Sequence, residues 1–416
     1  GSDTYTLKKG KEAFEDTTVT DKMMELMRKY IGEASYAEQI QAEQYEEVMS
    51  YASVNMRFDY SIPVEEFIKE NDISYSVNLG DLTNFTSIGF STASTENLFI
   101  RDRNTDTYYR IIVDDTSVST ELGEEVSAFI KSVESSEYIP YYYIADIVGV
   151  ENDALMPLFM SSNLTEMKGT QEFSISDQAK ANRIASGFFA SGLDFVRKIT
   201  ENKGSLLYMY GSSQSLIMEE NGKIKYSENF DPSVYNQRGF YDSLEKAVEY
   251  VSSHGKWNSL YSNGCRPYLK AADRILNSGG SGYHFVFGLE NNGVSIEYTE
   301  GEILSVDVCG QQVTAYERDI VIMSEEADQS GEMWESIEPV NILTENYAKI
   351  GQIIGTTTFE EMAARVESIK FCCIRDKQND SLTIKPVWLM TVSGGCRFWF
   401  DPETGELLGY LRAEVN

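Results

Sequence analysis

The closing segment of the chain leaves little choice of structure. Thr383-Ile-Lys-Pro-Val-Trp-Leu-Met-Thr-Val392 is a β-branched and aromatic run, and Ser393-Gly-Gly395 interrupts it. Cys396-Arg-Phe-Trp-Phe400 resumes it, and Asp401-Pro-Glu-Thr-Gly-Glu-Leu-Leu408 turns once more. Glycine supplies positive φ and proline presets φ, so the pattern predicts strand, tight turn, strand, turn, strand: an antiparallel meander. The segment holds no nucleophile paired with a base, no ligand cluster and no phosphate loop. It describes a scaffold.

The spacing of Pro386-Val-Trp388, about a dozen residues, then Phe400-Asp401-x-x-Thr404-Gly405-Glu406 resembles the closing hairpin of PepSY-type modules. It is similar also to that of the exported YycH/YycI-type regulators of a cell-wall sensor kinase. The likeness covers roughly 30 of the 416 residues. As a whole the chain resembles an uncharacterised family of exported or lipid-anchored proteins of Gram-positive bacteria, a likeness to which 26 tyrosines beside 2 histidines and 8 prolines contribute. The resemblance implies helices laid on antiparallel sheets and a regulatory or binding role at the cell envelope with a protein or peptide as partner. It brings no catalytic residues and no cofactor.

At 416 residues and 42% hydrophobic content the chain can bury a substantial core, and single cores rarely grow past about 250 to 300 residues, so two or three domains are expected. A formal charge of −31 repels nucleic acid, anionic lipid headgroups and anionic wall polymers. Nucleic acid is thereby excluded as a partner, and the acidity reads first as solubility outside the cell. No run of about 18 apolar residues exists to span a membrane. The polar leader Gly1-Ser-Asp-Thr-Tyr-Thr-Leu-Lys-Lys-Gly10 is expected to follow a removed signal or lipid-anchor segment, which would leave the protein extracellular and membrane-anchored.

The residues that could carry chemistry are few. Cys265, Cys309, Cys372, Cys373 and Cys396 are odd in number, and vicinal Cys372-Cys373 in a strand point to opposite faces, which argues against a disulfide framework while leaving room for one bridge. None has the spacing of a metal site. A catalytic cysteine needs a histidine, and only His254 and His284 exist; His284 lies in the apparent strand Tyr283-His-Phe-Val-Phe287 and reads as structural. Asp102-Arg-Asn-Thr-Asp106 has oxygens at alternate positions like a calcium loop, but Thr107 stands where glycine is needed and no glutamate closes it, so a β-turn is expected. The aromatic cluster Tyr138-Ile-Pro-Tyr-Tyr-Tyr-Ile-Ala145 reads as packing ahead of a sugar platform.

Patterning predicts an α+β fold of helix-plus-sheet units. Helices are expected over Met23 to Ile31, Glu38 to Val48 and Ser117 to Val133. Strands are expected over Val54 to Tyr60, Ile73 to Leu79, Phe85 to Phe90, Asn97 to Arg101 and Thr107 to Val113. The pattern loosens around Met156 to Thr165, which sets an N-terminal domain of residues 1–165 and a C-terminal region of residues 166–416 made of tandem PepSY-like units. In the latter, Ser174 or Ser176 caps a helix carrying Ala179, Ile184, Ala185, Phe188 and Phe189, and strands follow at Ser205 to Tyr210, Ser215 to Glu219 and Lys223 to Tyr226. A second unit has helices at Ser243 to Val251 and Pro267 to Leu276, then strands at Tyr283 to Leu289, Val294 to Tyr298, Ile303 to Val308 and Thr314 to Met323. A third runs from Thr344 through a Phe359 to Val366 helix and a Ser368 to Arg375 strand into the closing meander.

Three function classes meet these residues. A non-catalytic extracellular binding or regulatory protein needs no catalytic constellation, and it is the preferred reading. A glycan hydrolase would use two of the 66 acidic side chains as a pair in an aromatic-lined cleft. A carbohydrate-binding module would expose Tyr141-Tyr-Tyr143, Trp388 or Trp399. Alternation places at least one of the two tryptophans in the core. No catalytic residue, metal ligand or cofactor is assigned, and the binding residues stay open.

Overall fold

The computed structural model describes residues 4–7, 18–74, 79–134, 138–152, 154–158, 160–162, 164–201, 204–255, 265–277, 279–291, 293–323, 334–377 and 382–412. The architecture is α+β, with helices packed on antiparallel sheets and a single parallel ladder among the described residues.

After β1 (Thr4–Leu7), the first region runs α1 (Thr18–Gly32), β2 (Tyr36–Ile40), α2 (Ala42–Met49), β3 (Ser53–Pro63), α3 (Val64–Glu70), β4 (Asn84–Ser91), β5 (Asn97–Asp102), β6 (Thr107–Ile112) and α4 (Thr116–Glu134). Its five strands pair in the order β2-β6-β5-β4-β3. Met23, Met27, Tyr30 and Ile31 of α1 and Leu122, Val126, Phe129 and Ile130 of α4 recur at helical spacing, and all are buried in one cluster with Phe85, Ile88, Leu98 and Ile100 of the sheet.

The chain continues through β7 (Tyr138–Tyr143), which pairs with β1, then α5 (Ile144–Val148), β8 (Leu155–Pro157), β9 (Ser161–Ser162), β10 (Met167–Gln171), α6 (Gln178–Ser186), β11 (Arg197–Thr200), β12 (Leu206–Tyr210), β13 (Gln214–Met218), β14 (Ile224–Glu228) and α7 (Phe240–Ser253). There follow β15 (Cys265–Asn277), β16 (Gly280–Asn291), β17 (Val294–Tyr298), β18 (Leu304–Cys309), β19 (Gln312–Arg318), β20 (Val321–Met323), β21 (Trp334–Glu335), α8 (Pro339–Ile354), α9 (Phe359–Ala363), β22 (Val366–Arg375), β23 (Thr383–Val392), β24 (Cys396–Phe400) and β25 (Leu407–Leu411).

Fifteen of these strands form one sheet, and it forks. β15 lies along one edge of β16 for its whole length, while the other edge is shared: Gly282 to Phe287 pair with β18, and Leu289 to Asn291 pair with β17. One wing runs β18-β19-β14-β13-β12-β11. The other crosses from β17 to parallel β22 and on to β23, β24 and β25. The closing meander is formed as its turn residues dictate, with Gly394 and Gly395 both at positive φ in the β23–β24 turn. Trp388, Phe398 and Phe400 face the main core with α8 residues Ile342, Leu343 and Ile350, whereas Cys372, Ile374, Val387, Leu389 and Trp399 make a second cluster on the opposite face. The two large cores divide between Ile130 and Ile144; Ala154, Met156 and Leu164 pack with the C-terminal strands.

Several expected elements differ. Pro267 to Leu276 is strand, not helix: it lies within β15, whose twelve cross-strand pairings to β16, with a bulge between Leu269 and Ala271, override the local pattern. Glu38 to Val48 is helical only from Ala42, because Tyr36 to Ile40 complete the edge of the first sheet on β6. Ile73 belongs to no strand, and residues 75–78 of the expected Ile73 to Leu79 strand lie outside the described residues. Thr314 to Met323 breaks into β19 and β20 at Asp319-Ile320. Asp177, rather than Ser174 or Ser176, caps α6, its carboxylate accepting Lys180 N–H at 3.0 Å, and Ala179 is exposed.

The two regions are tied at one helix end. The Glu66 carboxylate of α3 accepts the Tyr241 N–H at 3.2 Å, placing negative charge at the N-terminus of α7. A Cβ on Gly239, the N-cap, would fall 2.5 Å from Glu66 Oε2, so a side chain there would push the carboxylate off the helix end. Tyr60 of β3 stacks on Phe240 at 6.1 Å, and β3 packs against β15.

Candidate functional site

The β11 end of the forked sheet is unlike the rest of it. α6 feeds a turn in which Val196 N–H donates to Leu193 O at 3.2 Å, with Leu193 and Val196 half-buried against the main core. Phe195 occupies the third position of that turn at φ +65°, a left-handed conformation in which glycine is usual and a bulky residue is strained. Held there, its ring cannot fold back on the core and is 91% exposed. β11 follows directly. It pairs with β12 from Arg197↔Met209 to Thr200↔Leu206 and ends the sheet, so its second edge has no strand on it among the described residues. Lys198, exposed, lies on the α6 side, donating to Gln178 Oε1 (2.5 Å) and Asn182 Oδ1 (3.0 Å) over the Tyr208 ring, which pins the edge to the helix. Arg197 points the other way, exposed, and Tyr210 is partly exposed at the same end. An exposed strained aromatic, an exposed guanidinium and a bare strand edge are the parts of a protein-contact surface.

The outer face of the same sheet carries two further charge clusters. Glu297 on β17 is buried, with Lys370 at 2.5 Å, Lys270 at 3.1 Å and Arg397 at 3.9 Å. Burial alone would raise its pKa, but the Lys370 and Lys270 ammoniums overcome this and hold the carboxyl low. His284 hydrogen-bonds Asp307 across the strands, with Asp273 opposite it on β15, and the Asp307 carboxylate raises the imidazole pKa. The Lys270, Lys370, His284 and Asp307 side chains are partly exposed, whereas Glu297 is buried beneath its cations.

The residues singled out from the sequence are placed as follows. Trp388 and Trp399 are both buried, on opposite faces of the meander, which withdraws them from any sugar platform. Tyr141, Tyr142 and Tyr143 are half-buried in β7. His254 ends α7, stacked on Tyr250 at 3.9 Å, with Nε2 2.9 Å from the Gly187 carbonyl oxygen; burial lowers its pKa, and its place is a tie between two elements. All five cysteines are free thiols, and Cys372 and Cys373 do point into different clusters. Burial pushes the Cys265 thiol up to about 11 and the Cys372 thiol up to about 12, so neither is a nucleophile near neutrality. Asp102 takes the hairpin: its carboxylate accepts Asn104 N–H at 3.0 Å and the Thr105 hydroxyl at 3.1 Å. The sequence reading missed Phe195 and Arg197. The signal available was an aromatic three residues after Gly192, in a turn position that favours glycine.

No family model matches the sequence, and no curated protein matches it. Among solved structures, YycH from Bacillus subtilis is similar over 86% of this chain and 84% of its own, with a TM-score of 0.50 at 12% identity. The YpeB C-terminal domain of Bacillus megaterium aligns over 58% of this chain and 99% of its own, with a TM-score of 0.27 at 11% identity. The likeness to YycH is one of fold, and it extends the resemblance of the closing hairpin to most of the chain.

Proposed function

We propose that the chain is a non-catalytic extracellular binding or regulatory protein that contacts another protein or peptide of the cell envelope through the β11 edge. An extended segment of the partner adds to β11 as the next strand, carries a carboxylate opposite Arg197 and receives the Phe195 ring in an apolar pocket. The observation that carries this reading is Phe195: a residue that is strained and exposed at once contributes nothing to the core beneath it, and such outliers collect at contact sites. Like charge opposes pairing of this edge with a second copy, since β11 strands laid side by side would set the Arg197-Lys198 pair against its own kind. The fold it shares with YycH supports the envelope setting, as does the resemblance of the closing hairpin to exported regulators.

The test is a photo-crosslinking amino acid at position 195, with position 51, also exposed, as control. Illuminated with envelope membranes, the 195 variant is expected to join one protein, the 51 variant none, and Thr200→Pro, which removes a backbone donor from the open edge because Glu201 and Ile199 are the residues that face β12, is expected to abolish the product. Equal labelling from both positions, or turnover of a glycan by the purified chain with no partner captured, would overturn the proposal.

A further inference from the structure

At the end of the β11–β14 wing opposite Phe195, three chain segments meet over a pocket of about 340 Å3. The β13–β14 turn brings Glu219 and Lys223, the β17–β18 turn brings Glu300 and Gly301, and the end of β22 brings Arg375 and Lys377. This is an unusual gathering of cations in a chain of net charge −31. Each is fixed from behind. Lys223 pairs with Glu317, Lys377 pairs with Asp319, and the Arg375 guanidinium, 2% exposed, lies 2.8 Å from the same Asp319. The Tyr298 ring lies beneath both Arg375 (5.0 Å) and Lys377 (5.2 Å), which places the charges against a low-dielectric floor. Two of them converge on a point where the chain has no side chain: a Cβ on Gly301 would lie 3.7 Å from Lys223 Nζ and 3.7 Å from Lys377 Nζ.

We propose that this pocket binds a carboxylate-bearing ligand of the size of one or two amino-acid residues, its carboxylate seated over Gly301 between Lys223 and Lys377. Each ammonium has three donors, and the framework carboxylate holding it leaves donors for an oxygen on the open side. The same framework disfavours a dianion. Around the pocket the carboxylates of Glu219, Glu300, Glu317 and Asp319 outnumber the cations of Lys223, Arg375 and Lys377, so the second charge of a phosphate finds no surplus cation. Glu300 and Glu219, the latter already paired with Lys225 at 2.7 Å, complete the wall and suit an ammonium or amide N–H, as a free amino acid or a peptide terminus offers. The site is independent of the β11 edge, and either assignment stands if the other falls.

The probes are alanyl-alanine, its C-terminal amide, alanine and inorganic phosphate, each titrated calorimetrically into the full chain. The acid dipeptide is expected to bind at least tenfold more tightly than the amide and more tightly than phosphate; alanine binding comparably assigns the free amino acid, and dipeptide preference assigns a peptide terminus. Gly301→Asp supplies a tethered carboxylate between the two ammoniums, and aspartate and asparagine both tolerate positive φ. Gly301→Asp is expected to melt about 2 °C above Gly301→Asn, with dipeptide binding lost in both. Equal binding of acid and amide, tighter binding of phosphate, or a Gly301→Asp protein no more stable than Gly301→Asn would overturn the assignment.

Discussion

The two ends of the forked sheet are built from similar letters and do opposite things. At the β23–β25 end, aromatic residues sit in mid-strand, where alternation sends Trp388 to one face and Trp399 to the other, and both faces are covered. At the β11 end an aromatic sits at a turn position whose backbone conformation aims it outward, on a wing one face of which is wet. The difference shows that aromatic residues inside these strands are packed, whereas one placed at a left-handed turn position is left exposed. The segment with the most conspicuous letters is scaffold, and the plain segment Leu193 to Thr200 is the exposed one.

Substitutions at the two ends should therefore differ in sign as well as size. Trp388→Ala removes a fully buried ring and is expected to cost about 3–5 kcal/mol, read as a lowered urea midpoint at unchanged slope. Loss below about 1 kcal/mol would mean that the meander is not the core it is described as. Gly409→Ala tests the outer face of the same end. Its Cβ would fall 2.6 Å from Trp399 Cζ2, and overpacking of about 1–3 kcal/mol is expected, partly rescued by Trp399→Leu. Phe195→Gly, at the other end, relieves left-handed strain while losing no burial, and should raise stability by about 0.5 kcal/mol. A destabilised Phe195→Gly protein would make the ring structural and erase the contrast.

The smallest effect lies between the ends and is seen through pH. His284 has its folded pKa raised above 6.5 by Asp307, so its contribution is complete below the unfolded value and is lost as pH rises through the folded one. The stability difference between the native chain and His284→Gln should accordingly be larger at about pH 5.5 than at about pH 8.5. A difference that grows with pH would show that the imidazole is held neutral.

Local turn chemistry made much of the fold legible. Asn221-Gly222, Ser393-Gly-Gly395 and Asp401 to Gly405 each mark a turn that forms, and helical spacing in Met23 to Ile31 and Ser117 to Val133 names the buried faces correctly. What was not legible depends on partners distant in sequence. Pro267 to Leu276 carries a helix-compatible spacing, and only the full-length partner β16 makes it a strand. The fork of the sheet at β16 has no local signal at all, because it depends on β17 and β18 dividing one edge between them. The exposed β11 end was invisible for a related reason: a left-handed Phe195 is a property of its turn, whose letters allow other conformations. The pocket was hidden because Lys223, Gly301 and Lys377 are brought together only by the assembled strands.

The placement of Glu66 against α7 has a consequence for how the molecule must be made. A fragment starting after α4 would leave the first turn of α7 without its carboxylate and would uncover the flank of a strand thirteen residues long. Such a fragment offers neighbouring molecules a template for intermolecular stacking, so the early-synthesised region acts as a shield for the later one. Separate production of the C-terminal region is therefore expected to yield aggregate unless that flank is redesigned.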